Sequence, residues 1–385
     1  MKLVPKLLAA AILAGLSSTA AAEITIDVIG GSEVSFEGLL QADYYHYNSD
    51  VANLNTATER DGADSDQELR RAEIVFKGKG PGMWNWVAGY DAKADKFLDV
   101  NVSYRFSGFT TLTVGQYKQP NSLEELSSTK NNDFISKAMT TNLQGVARRM
   151  GVQLGTGADN WTLTGSYFGR EMTRNLANGS GYGVRGTWAP INSTGRLLHV
   201  GASYVNYEAE DRVDEGRARF SARPGADLAG ARLVDSGQFT DADRISTAGL
   251  EGVWVHGPFK VQAEAMYSNV GRDLNPDYNF QSMYVSGVWN VRGETWGYKN
   301  GVISTSLPDD PAAGMWQLGV RYDHANLNSE GVLGGKESNW TVGANYYWRS
   351  NFKFSFNYVK VNSERGIFNT EDDPSIAEFR AQFYW

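Results

Sequence analysis

The sequence predicts an all-β protein: a sixteen-stranded antiparallel transmembrane β-barrel. Three observations lead there. Beyond residue 22, apolar and polar side chains alternate with period two, which places successive residues on opposite faces of a strand. The alternating stretches run about ten residues, enough to cross the apolar band of a membrane at a tilt. Their connections switch between long polar loops and tight turns, the asymmetry of a barrel with external loops at one end and periplasmic turns at the other.

Before the strands comes a leader. In residues 1–22, Lys2 and Lys6 are basic, Leu7 to Leu16 form an apolar stretch, and Ala20, Ala21 and Ala22 offer a small-residue cleavage site. Residues 23–385 then form one outer-membrane barrel domain. Nothing after Glu23 approaches the ~18 consecutive apolar residues of a membrane helix.

The candidate strands lie near 33–47, 67–79, 83–92, 97–106, 109–117, 147–157, 160–169, 181–189, 197–207, 245–256, 258–269, 279–291, 314–323, 338–348, 351–361 and 375–385. Phe352, Phe354, Phe356 and Tyr358 share one face of their strand, while Lys353, Ser355 and Asn357 share the other. Aromatics gather at strand ends, as membrane-interface girdles require. The opposite faces are too polar to pack as a dry core. Long loops are expected at 48–66, 118–146, 208–244 and 362–374, and tight turns at Ser107-Gly108, Gly257-Pro258 and Arg349-Ser350-Asn351. The connection 292–313 is long where a short turn is due.

Composition narrows the chemistry. The 385 residues carry 44 acidic and 36 basic side chains, a net charge of -8, and no cysteine. Disulfides, thiolate metal sites and thiol nucleophiles are therefore excluded. Four histidines, His46, His199, His256 and His324, are few for an imidazole metal cluster, and the acidic balance argues against a nucleic-acid partner. The turn Gly78-Lys79-Gly80-Pro81-Gly82 lacks the GK[ST] ending of a phosphate-cradling loop and precedes a strand. No cofactor is expected. Catalysis by a serine–histidine–carboxylate set would have to use His199, which reads better as a pore-lining or packing residue.

Several segments resemble the phosphate-selective porin O/P family, over essentially the whole mature chain. They are Val114-Gly115-Gln116-Tyr117-Lys118-Gln119-Pro120 with Ser122-Leu123-Glu124-Glu125-Leu126; Arg217-Ala218-Arg219-Phe220-Ser221-Ala222-Arg223-Pro224; Gly257-Pro258-Phe259-Lys260; Arg292-Gly293-Glu294-Thr295; and Asn345-Tyr346-Tyr347-Trp348. The resemblance implies a homotrimer in the bacterial outer membrane, a loop after the fifth strand folded into the pore, and a long 292–313 connection.

A barrel of this size leaves an aqueous channel whose selectivity comes from charges at its narrowest section. Strand parity turns Arg71, Arg105, Arg149, Lys260, Arg321, Lys353 and Arg380 inward, against Glu73, Asp91, Asp99, Glu264, Asp323 and Glu378. This is a mixed lumen, so any anion preference is local. The loop 118–146 is the candidate constriction, with Lys118, Lys130 and Lys137 beside Glu124, Glu125 and Asp133. Of the pairs Arg70–Arg71 and Arg148–Arg149, alternation turns one member inward each, favouring Arg71 and Arg149 as oxyanion donors. The resemblance adds Arg70 and Arg71 as the eyelet arginine pair, Asp99 as its aspartate and Lys130 as a loop lysine. Asn85 and Glu125 depart from it, standing where lysines are expected, which weakens an anion well at close range.

In 208–244, Arg217 and Arg219 share a face. The resemblance implies a row of pore-mouth arginines there, Arg217, Arg219 and Arg223, while the segment's many carboxylates suggest a self-neutralising surface loop. The acidic loops 48–66 and 362–374 are solvated or bind calcium or lipopolysaccharide-bridging cations. The expected function is passive diffusion of small anions, phosphate or polyphosphate, with a general, weakly selective porin as the alternative. Expected partners are a homotrimer, outer-membrane lipid with lipopolysaccharide, and small anionic solutes.

Overall fold

A computed structural model describes residues 24–26, 33–55, 63–173, 179–209, 218–305 and 307–385. The leader expected at 1–22 lies outside these residues, as does Arg217. The barrel strands are β1 (Glu33–Asn48), β2 (Ser65–Lys79), β3 (Trp84–Asp91), β4 (Lys96–Ser107), β5 (Thr110–Lys118), β6 (Arg148–Ala158), β7 (Trp161–Phe168), β8 (Gly181–Ser193), β9 (Arg196–Glu208), β10 (Ala242–His256), β11 (Phe259–Arg272), β12 (Tyr278–Asn290), β13 (Met315–Ser329), β14 (Val332–Trp348), β15 (Phe352–Arg365) and β16 (Ser375–Tyr384). Each pairs antiparallel with the next, and β16 returns to β1 with Arg380 opposite Asp43, so the sheet has no free edge. Two short strands, Ile24–Ile26 and Thr370–Asp372, extend the rim.

The sequence alternation becomes an inside-out pattern. On β15, Lys353, Ser355 and Asn357 are buried within the barrel, while Phe356 and Tyr358 are 48% and 47% exposed on its outside. At the tight-turn end the outer face carries Trp84, Phe106, Trp161, Trp188, Trp254, Phe259, Trp289, Trp316 and Trp348; nearer the long loops it carries Tyr44, Tyr90, Tyr167, Tyr182, Tyr267, Trp340 and Tyr358. These are the two aromatic girdles of a membrane barrel. No helix of the described residues is long and apolar enough to cross a membrane.

Strands β13 and β14 run further than alternation suggests and meet in a hairpin at 330–331. Beyond the membrane band the polarity reverses: inward Ala325, Leu327 and Val332 pack on Phe220, Val234 and Phe239 of the 209–241 loop, which forms its own hairpin from Ala218–Ala222 and Val234–Phe239. A parity rule set by lipid outside and water inside does not hold there. A second cluster joins inward Tyr45, Tyr47, Val359 and Ile376 to Ala226, Ala229 and Leu233 of the same loop.

Candidate functional site

After β5 the chain passes through Ser122, whose φ of 62° is left-handed and whose Oγ accepts the Glu125 N–H at 3.2 Å. Two short helices follow, α1 (Leu123–Leu126) and α2 (Met139–Gln144). Much of the segment lies against the inner face of β11–β16. Glu264 accepts the Leu123 and Glu124 N–H groups, each at 2.8 Å. Lys260 pairs with Asp133 at 2.6 Å, and Lys353 donates to the Asn132 carbonyl at 2.5 Å. Arg380 donates to the Ile135 carbonyl at 2.8 Å, Arg321 to that of Ser136 at 2.9 Å, and Asp323 accepts the Met139 N–H at 3.2 Å.

Between these bonds sits Phe134. Its ring occupies a niche over Gly319 and Gly343, which face each other across β13 and β14. A Cβ on either glycine would come within 3.1 Å or 3.2 Å of the ring. The Arg321 guanidinium stacks over it at 4.8 Å. Glycine inside a strand marks a close approach, and here the approaching group is the loop. The inward cations Lys260, Arg321, Lys353 and Arg380 therefore hold backbone and acids of the loop.

The opposite wall stays open. A cavity of ≈ 270 Å³ is lined by Glu37, Glu73, Lys77, Asp99, Lys118, Lys130 and Arg148. A second, of ≈ 370 Å³ toward the tight-turn end, shares Lys118 and Leu126 with it and adds Arg105, Thr111, Gln153, Thr162, Thr164, Arg185 and Lys299. The aqueous space follows β1–β8.

The arginine pairs differ from the parity reading. In β2 the register jumps so that Gln41 faces Arg71 and Ala42 faces Leu69, leaving Arg70 as the extra residue of a bulge. Both guanidiniums then point inside: Arg71 reaches Glu73 at 3.0 Å, and Arg70 reaches Asp227 of the long loop at 3.1 Å. In the second pair, Arg149 is on the inner face but sealed against Phe168 and Tyr207, 5.7 Å and 5.4 Å from the ring centres. Its neighbour Arg148 is the one at the cavity, gripping Asp99 through two bonds of 3.1 Å.

Lys118 donates to the Ser127 carbonyl at 2.9 Å, and Lys130 lies 3.7 Å from Glu37. Lys137 is ion-paired with Glu125. Burial opposes the charge on Glu125, but Lys137 and Lys118 outweigh it and bring that carboxyl down to about 2. Asn85 lines a different recess with Glu33, Lys77 and Lys79, so it does not share a wall with Glu125. Of the pore-mouth arginines, Arg219 binds Asp235, with Nε at 2.9 Å, and Arg223 donates to the Asp227 carbonyl at 2.6 Å. Arg223 thus meets Arg70 across Asp227. Parity placed Lys77 on the same face as Arg71 and so could have found it; Asp227 and Arg148 had no such signal.

The model of the phosphate-selective porin O and P family matches residues 42–385. The chain belongs to this family. It is 26% identical to Porin O of Pseudomonas aeruginosa over 94% of this chain and 92% of that protein. It is 28% identical to an uncharacterised protein of Caulobacter vibrioides over 76% of this chain, a match spanning 62% of the relative's own length. Among solved structures it superposes on OmpT of Vibrio cholerae with a TM-score of 0.61 at 12% identity, covering 94% of this chain and 100% of that one. An anion-selective porin from Comamonas acidovorans gives 0.58 at 12% identity, covering 92% and 100%. At that identity the superpositions establish the fold alone; membership of the family makes the protein an outer-membrane porin.

This porin has a second intrusion. The long 292–313 connection holds a hairpin, Gly297–Lys299 with Val302–Ser304, that enters from the tight-turn end. The Gly301 carbonyl accepts from Arg185 at 2.7 Å, and the Tyr298 hydroxyl meets His199 Nδ1 at 2.8 Å. Glu251 joins Arg185 to His199, whose Nε2 it meets at 3.0 Å. His199, fully buried, is a packing residue of this anchor.

Proposed function

We propose that this porin carries small anions by passive diffusion, favouring phosphate-type oxyanions, and that it works as a homotrimer after loss of a leader ending near residue 22. The reading is of a channel and not an enzyme, in contact with outer-membrane lipid and lipopolysaccharide. One observation carries it: the second cavity is lined by Arg105, Lys118 and Lys299, and by Arg185, which Glu251 holds, with no carboxylate among its described lining residues. Forked guanidinium and ammonium donors beside threonine hydroxyls suit an oxyanion that sheds part of its hydration and leaves again. The loop after β5 narrows the lumen, and Arg70, Arg71, Asp99, Lys118, Lys130 and Lys137 shape that section; Arg148 takes the place parity gave to Arg149. Kinship with Porin O and the fold shared with an anion-selective porin agree with it.

A weakly selective general porin is the second reading, favoured by the pairing of Lys137 with Glu125, Arg148 with Asp99 and Lys130 with Glu37. Purified trimer in a planar bilayer separates the two. A zero-current potential of anionic sign across a KCl gradient, with saturable block of chloride current by phosphate, supports the first. Ohmic, weakly selective current without block supports the second.

A further inference from the structure

Asp227 is surrounded by guanidinium groups. Arg70 donates to its Oδ2 through Nε at 3.3 Å and Nη2 at 3.1 Å, and Arg380 Nη2 stands 4.0 Å away. Arg223 holds its carbonyl at 2.6 Å. The Nε atoms of Arg71 and Arg223 are buried without a hydrogen-bond partner among the described residues. Arg380 is already committed to Asp43 by two bonds of 2.6 Å, and Arg71 to Glu73. What Asp227 neutralises is Arg70 and the field of its neighbours.

The tether and the charge are separable. The Asp227 N–H donates to Ser136 Oγ at 3.0 Å, and its carbonyl takes the Arg223 bond, so its main chain is fixed to the pore loop without help from the carboxylate. The ion pair is open to water, Arg70 retaining 26% and Asp227 21% of side-chain exposure. A carboxylate on a fixed stem, in a water-reachable nest of forked donors, occupies the position a free oxyanion would take.

We propose that Asp227 is a tethered counter-anion that occupies the Arg70 guanidinium, beside Arg71 and Arg223, in the resting channel and is displaced by a passing oxyanion, which makes it a specificity-determining residue. The inference rests on the anion-channel reading and names one site within it. Chloride offers one charge and no second acceptor, so it competes poorly with a carboxylate oxygen gripped by both Arg70 N–H groups; a divalent phosphate offers two charges and several acceptor oxygens. Asp227 thus costs all anions some affinity and chloride the most.

The test compares full-length wild type with Asp227→Asn, Asp227→Ser and Glu330→Gln, the last removing an equal charge at an exposed hairpin tip. Each is confirmed as a folded trimer by heat-modifiable gel migration, and the serine variant stands in should the asparagine variant fail to assemble. Both Asp227 variants are expected to raise the anion-to-cation permeability ratio, read with chloride, about tenfold and to lower the half-blocking phosphate concentration only about threefold. Glu330→Gln should match wild type. Folded Asp227 variants with both quantities unchanged overturn the proposal, as does an equal shift in Glu330→Gln. A wild type without anion preference or block overturns the channel reading instead, since Asp227 is judged on the difference between variants.

Discussion

The two halves of the barrel wall use the same alternating sequence for opposite ends. On β11–β16 the inward charges are sealed: Lys260 keeps 4% of its side-chain exposure and Arg321 keeps 1%, both occupied by the loop after β5. On β1–β8 some face the cavity, Arg148 keeping 23% and Asp99 34%, while Arg149 is sealed by Phe168 and Tyr207 and Arg185 by Glu251. Side-chain chemistry does not separate the halves; what covers them does. An inward charge can act on passing ions only where no loop or neighbouring side chain claims it; here β11–β16 anchor the loop, and on the reading proposed above the ions pass along β1–β8.

Filling the Phe134 niche would break this division most severely. Gly343→Leu puts a side chain where the ring lies, and overpacking of that kind costs about 1–3 kcal/mol. The loop is expected to lift from β13 and β14, with single-channel conductance rising about twofold or more and selectivity falling. Unchanged conductance in a folded trimer would mean that the loop does not limit the current.

A matched pair of substitutions sharpens the contrast. Lys260→Met leaves Asp133 buried and unpaired, which costs roughly 3–5 kcal/mol and should lower the thermal midpoint of the trimer. Arg148→Gln breaks a half-exposed pair worth about 1 kcal/mol or less, so its midpoint should barely move while its anion-to-cation permeability ratio falls. Equal effects on both readouts would erase the distinction between anchor and filter.

Glu125 lies at the seam between the halves. Its carboxyl sits at about 2 in the folded protein against an ordinary value near 4.5, burial being outweighed by Lys137 and Lys118. A lowered value stabilises the fold fully above the ordinary value and loses that contribution as pH falls toward the folded one. Conductance and selectivity should therefore hold from pH 7 to about 5 and change between about 4 and 2. Glu125→Gln should show the acid behaviour already at neutral pH, with a higher anion preference because Lys118 and Lys137 are released. A transition centred near pH 6 in wild type would place the sensitive group elsewhere.

How much of this was legible follows from the same contrast. The strands could be read because lipid outside and water inside impose one rule on every residue between the girdles, as Phe352 through Tyr358 show. Arg70 could not be placed, because a bulge in β2 breaks the alternation and turns both arginines inward. Arg148 and Arg149 exchanged roles because Phe168 and Tyr207, far away in sequence, cover one of them. Gly319 and Gly343 carried a readable signal of close approach, but only the folded loop supplies Phe134 as what approaches. The clamp around Asp227 joins residues more than 150 positions apart, a contact that no local pattern encodes.

The mildest change tests the rim, where the 209–241 loop turns charges of its own to water. Arg219 and Asp235 form an ion pair whose arginine is 47% exposed. Exposed pairs contribute about 0.2–1 kcal/mol and are screened over about 10 Å at 0.1 M salt. Asp235→Asn should therefore leave thermal stability within error. It should raise anion entry only in dilute electrolyte, as a steeper rise of conductance at low KCl that vanishes near 1 M. A gain that persists at high salt would show that Arg219 binds anions at short range, making the mouth a second clamp instead of a funnel. Loss of the trimer would show that the pair is structural, extending the anchoring wall to the rim.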